Sequence, residues 1–75
     1  MMNNYHINIF YSMDDEGYIA DIPDLTFCSA FGETPEKALA EALVAKKLWL
    51  EAAEETGKEI PEASYRPMIY QVASV

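Results

Sequence analysis

This 75-residue chain holds one cysteine, one histidine and five basic residues, and each shortage closes off a class of function. A lone Cys28 cannot close an internal disulfide, and with only His6 beside it a cysteine-histidine metal site cannot be built within one chain. No apolar run approaches the roughly 20 residues of a membrane span, and the opening MMNNYH lacks the basic and apolar regions of a signal peptide, so the chain is read as cytoplasmic. The three glycines stand apart at 17, 32 and 57, which leaves no loop to cradle a phosphate. Asp14, Asp15 and Glu16 precede Gly17 as a solvated hairpin loop and lack the alternating spacing of a calcium loop. His6 reads as a surface strand residue and Cys28 as a small buried hydrophobe. No catalytic residue, metal or cofactor is therefore nominated, and enzyme activity is not expected.

Basic residues are also unevenly placed. Positions 1–36 carry seven acids and no lysine or arginine, within a net charge of −8. A nucleic-acid binder must neutralise phosphates, so direct binding to a duplex is not expected, and a charged partner should be a basic protein. Acidity for solubility alone is the other reading of the same composition.

What the chain does have is one long amphipathic segment, from Thr34 to Gly57. Thr34 can cap the first free amides, Pro35 suits the first helical position, Glu36 suits the positive end of the dipole, and Gly57 offers a left-handed stop. At 100° per residue, Ala38, Leu39, Ala42, Leu43, Trp49, Leu50 and Ala53 fall on one face, with Glu41, Lys47, Glu51, Glu54 and Glu55 mostly opposite. Lys46 lies inside the apolar arc, where its stem can be buried while its ammonium stays in water. Val44 and Leu48 lie on the polar side, as scattered surface or as a contact with another chain.

The helical face needs a sheet. Residues 5–11 alternate, with Tyr5, Ile7, Ile9 and Tyr11 on one side and His6, Asn8 and Phe10 on the other; 18–22 form a second strand, 25–31 a third, and 68–72 a fourth. The order β-β-β-α-β predicts one α+β domain over 1–75, with an antiparallel three- to four-stranded sheet carrying one helix. Its other face is left bare, with His6, Asn8, Phe10, Ile19 and Asp21 on it. A core this small gains from self-association, so Phe10, Ile19, Val44 and Leu48 are the candidate contacts of a homodimer or larger oligomer.

Five pieces, in order, resemble the N-terminal domain of the HicB family of antitoxins. They are Gly17-Tyr18, Pro23-Asp24-Leu25 with Cys28, Gly32-Glu33-Thr34 leading to Ala38-Leu39, Trp49-Leu50-Glu51, and Ile60-Pro61-Glu62. The chain departs from the family at Thr26-Phe27, where Pro-Gly is frequent, and at Lys46, where an apolar residue is frequent. The resemblance implies a partial ribonuclease-H-like fold without catalysis. It also implies a partner, HicA, a small basic toxin that cleaves mRNA and whose active site the antitoxin covers. On that reading Asp21, Asp24 and Glu33 would steer the toxin, and Leu25, Phe27 and Phe31 would divide between core and interface. Full-length relatives add a C-terminal DNA-binding segment for which a chain ending at Val75 has no room, so DNA binding is not expected. The alternative is an orphan oligomeric regulator or scaffold with another protein partner.

Overall fold

The structure is a computed structural model that describes residues 4–67. Three strands, β1 (Asn8–Ser12), β2 (Gly17–Asp21) and β3 (Ser29–Gly32), form an antiparallel sheet in the order β1-β2-β3, followed by one helix, α1 (Pro35–Thr56). The fold is α+β, as the hydrophobic periods predict; the proposed strand over 68–72 lies outside the described residues.

The helix is bounded where its local chemistry dictates. The Thr34 hydroxyl accepts a hydrogen bond from the Lys37 amide at 3.1 Å, and Pro35 opens the first turn. At the other end Gly57 is left-handed (φ 74°), and the amides of Gly57 and Lys58 donate to the carbonyls of Glu54 and Ala53, closing both in a Schellman turn.

The helix lies over β2 and β3 and reaches β1 far less. Its closest approach is to β3, where a Cβ on Gly32 would stand 2.2 Å from the Ala38 nitrogen, so only glycine admits the helix there. This offset corrects the expected core face. Ala38, Ala42 and Ala53 are buried and Trp49 and Leu50 half-buried, but Leu39 and Leu43 are exposed, because that flank of the helix overhangs β1 instead of resting on it. The core is small. Ala20, Ala38 and Ala42 form one cluster, and Tyr5, Ile22, Leu25 and Cys28 another, with Ile22 and Leu25 the largest side chains fully enclosed.

The first and third strands are shorter than the alternation suggests. Residues 5–7 precede β1, and 25–28, expected as the first half of the third strand, belong instead to a compact turn over 23–28. In that turn the Leu25 amide donates to the Ile22 carbonyl, Cys28 donates to Leu25, and Ile22 donates to Cys28. Pro23 starts the turn and Phe27, at φ 58°, completes it.

Candidate partner-binding surface

Strand alternation and register define the sheet face away from the helix. Ala20 and Ala30 pair across β2 and β3 and both pack toward α1, so the neighbours that alternate with them point to the other side. Phe10 pairs with Ile19 and Ile19 with Phe31, which sets one residue from each strand in a row across that outer face. Phe10 is 51% exposed and Phe31 44%, and Ile19 lies half-buried between them. Asn8 and Asp21, paired one step along the same face, supply its polar border. Phe31 also extends over Gly17, where a Cβ would meet its ring at 2.4 Å.

Beside the sheet, the turn at 23–28 projects Phe27 wholly into solvent, at 100% exposure. The turn is held on both flanks. The Trp49 indole N–H donates to the Thr26 carbonyl at 3.0 Å, while the Lys58 ammonium lies 4.9 Å from the Trp49 ring. On the opposite flank the Asp24 carboxylate accepts from the Ser64 amide and hydroxyl, each at 3.1 Å, and from the Tyr65 amide at 3.2 Å. The Tyr5 hydroxyl donates to the Pro61 carbonyl, and the Tyr65 ring lies 4.9 Å from His6. These contacts lay 61–65 against the turn and against Tyr5 and His6, which precede β1. Partial burial pushes the Asp24 carboxyl up, but the hydrogen bonds from Tyr65 and Ser64, with Arg66 nearby, outweigh it and hold the group below its ordinary value.

The titratable groups singled out in the sequence have structural partners or are buried. Burial, reinforced by Asp21 and partly offset by Lys46, raises the Cys28 thiol above its ordinary value, which leaves it a weak nucleophile. Burial, and then Asp24, raises the Tyr5 phenol. His6 hydrogen-bonds the Asn8 side-chain oxygen at 2.7 Å. Asp15 accepts from the Ser12 hydroxyl at 2.8 Å in the hairpin loop, as expected of a solvated turn. No group of three or more histidine, cysteine, aspartate or glutamate side chains is placed to hold a metal ion among the described residues.

The structure brings together Phe10, Ile19, Asp21 and Phe31 on the outer face. Val44 and Leu48 lie on the helix, on the other side of the sheet, so the candidate oligomer contacts fall into two separate patches, Phe10 with Ile19 and Val44 with Leu48. Leu25 is 1% exposed and belongs to the core, leaving Phe27 and Phe31 as the outward members of its trio. Asp24 is half-buried and its carboxylate is engaged by Ser64 and Tyr65, so it also braces the turn against the 60–67 stretch. Glu33 is exposed and paired with Lys37 at 3.7 Å. Nothing in the sequence signals that Asp24 reaches Ser64 and Tyr65, 40 and 41 residues further along the chain.

The family described as HicB_like antitoxin of bacterial toxin-antitoxin system matches residues 5–72. A UPF0150 protein of Synechocystis sp. is 41% identical over 58 residues, which cover 77% of this chain and 78% of that protein. No solved structure gives a significant match. The match over 5–72 takes in the whole sheet, the turn with its Asp24 strut and the full helix, and the chain belongs to the HicB-like antitoxin family.

Proposed function

We propose that this protein is an antitoxin-like binding module that neutralises a HicA-type mRNA interferase by covering its active site, without catalysis or nucleic-acid binding of its own. It would do so in the cytoplasm and as a homo-oligomer. The observation that carries this reading is the Phe10-Ile19-Phe31 row on an otherwise polar outer face. That row lies in the part of the chain that has seven acids and no lysine or arginine before residue 37. Exposed aromatics at the centre of such a patch supply affinity, and the acids around it supply encounter rate. Asp21 and Glu33 are the steering acids of this scheme, Phe27 a flanking contact, and Asp24 the strut that holds the turn.

The toxin would be a small basic protein, since its own function requires it to bind RNA phosphates. Occlusion by an acidic, aromatic surface competes with RNA for the same positive site and needs no chemistry. The test is the association rate with the HicA-type protein from the same genome at two salt concentrations, for the native chain and for Asp21→Lys with Glu33→Lys. The expected result is association slowed about tenfold or more by the reversals, with a flattened salt dependence and little change in dissociation. Binding insensitive to both salt and reversal would remove the electrostatic part of the scheme, and absence of binding would remove the toxin as partner.

A further inference from the structure

Among the described residues Phe27 is the most exposed large apolar side chain, and its backbone is left-handed at φ 58°. The Cys28 amide donates to the Leu25 carbonyl at 3.1 Å, which closes a four-residue turn with Phe27 in third place. Positive φ at that place is ordinarily supplied by glycine or asparagine, because a larger L side chain crowds its own backbone there. The ring is fully exposed, so it buries no surface that would offset the strain. Glu16, the other left-handed residue besides glycine among those described, sits in the β1–β2 hairpin, where such a conformation serves to turn the chain back. At Phe27 the conformation serves the turn but the ring serves nothing inside the fold, and strain of this kind clusters at binding sites.

The turn beneath the ring is braced. Leu25 and Cys28, on either side of Thr26-Phe27, are both buried, and the Ile22 amide donates to the Cys28 carbonyl across the base at 3.0 Å. The Trp49 indole N–H holds the carbonyl of Thr26, the residue directly before the ring, and the amides of Ser64 and Tyr65 hold Asp24. An aromatic ring on a fixed base loses little freedom when a partner encloses it, so its contact area converts to affinity with little ordering cost. Charges of both signs surround the base: Asp21 and Lys46 both act on the Cys28 thiol, Asp24 lies in the turn, and Lys58 stands over the Trp49 ring. Nucleic-acid phosphates and anionic lipid present charge of one sign, and a chain of net charge −8 is repelled by both. A lone ring inside a mixed collar matches a protein pocket with apolar walls and a polar rim.

We propose that Phe27 is the anchor of the complex: its ring inserts into an apolar, polar-rimmed pocket on the toxin and sets how long the two proteins stay together. On the toxin reading above, on which this assignment rests, the outer face supplies area, Asp21 and Glu33 supply encounter rate, and Phe27 supplies residence time. Its effect therefore falls on dissociation, because an enclosed ring must be withdrawn before the partners separate but need not be seated when they first meet. Folding and binding make opposite demands at this position. The fold would accept glycine without strain, whereas the pocket requires the ring.

The test is the association and dissociation rate of the native chain, Phe27→Gly and Phe27→Asn on the immobilised HicA-type protein of the same genome, with a thermal melt of each variant. Phe27→Gly should melt at or above the native temperature and dissociate about thirtyfold faster, with association changed by less than about twofold. Phe27→Asn also accepts positive φ but loosens the turn less than glycine, so it should dissociate as fast as Phe27→Gly. Fast dissociation in Phe27→Gly with native dissociation in Phe27→Asn would assign the effect to a loosened turn and overturn the anchor. Native dissociation in both variants would overturn the anchor and leave the toxin as partner. Absence of binding by the native chain would remove the toxin itself. Capture of the native chain by single-stranded RNA, lost in both variants, would give the ring to base stacking and overturn the protein pocket.

Discussion

The ring of Phe31 lies over Gly17 on the neighbouring strand, and a Cβ at Gly17 would sit 2.4 Å from the ring's Cε1 and Cζ. A diagonal glycine thus flattens the outer face under an exposed aromatic. Gly32, the residue after Phe31, is a different case, since a Cβ there would strike the backbone of Lys37 and Ala38. A ring can rotate away and a helix cannot. Gly17→Ala should therefore cost at most about 1 kcal/mol while displacing Phe31, and Gly32→Ala about 1–3 kcal/mol or more. Thermal melts of the two variants check the order, and equal losses would mean the helix is not seated on Gly32.

Trp49 joins the helix to the turn by its ring and by its N–H. Trp49→Phe keeps much of the packing and loses the bond to Thr26, a cost of about 1 kcal/mol, whereas Trp49→Ala should cost about 3 kcal/mol. Val44→Ser, at an exposed position, should change stability by less than about 0.5 kcal/mol. Chemical denaturation that ranked Val44→Ser above Trp49→Ala would place the helix in the wrong rotation about its axis.

Asp24 makes attachment of the tail depend on pH. Its folded-state value is lowered, so the stabilisation is fully present above the ordinary carboxylate range and is lost as pH falls through the lowered value. Protection of the Ser64 and Tyr65 amides should accordingly hold down to about pH 4 and decline below it. Asp24→Ala should abolish that protection at every pH, and protection that persists in the variant would show that the tail is held by other contacts.

Phe27 occupies a left-handed conformation at complete exposure, a costly position for an aromatic residue. Phe27→Gly should relieve about 1 kcal/mol of backbone strain against about 0.5 kcal/mol from a looser unfolded chain, so stability should hold or rise slightly. If Phe27 touches the toxin, affinity should fall at the same time, by about tenfold or more. A stability loss greater than about 1 kcal/mol would show that the ring contributes to the fold.

The parts legible in the sequence were those fixed by local chemistry. Thr34, Pro35 and Gly57 mark the helix because each satisfies or spares a backbone group at its own position. The shared outward direction of Phe10 and Ile19 follows from alternation once the hairpin is recognised. What could not be read there depends on contacts between distant segments. A phenylalanine gives no sign that its backbone is left-handed, so the 25–28 part of the turn resembles a strand. Leu39 and Leu43 belong to the apolar arc of the helix, and only its offset toward β3 exposes them. Asp24 looks like one more surface acid until Ser64 and Tyr65 arrive to use it.

Occlusion of the toxin by the outer face is tested most directly by one assay: RNA cleavage by the HicA-type protein of the same genome in the presence of excess antitoxin. The native chain should stop cleavage. Phe10→Ser with Phe31→Ser should fold, since both rings are half exposed, and should restore most of the cleavage at the same concentration. Cleavage uninhibited by excess folded native protein, or inhibition fully retained by the double variant, would contradict the account.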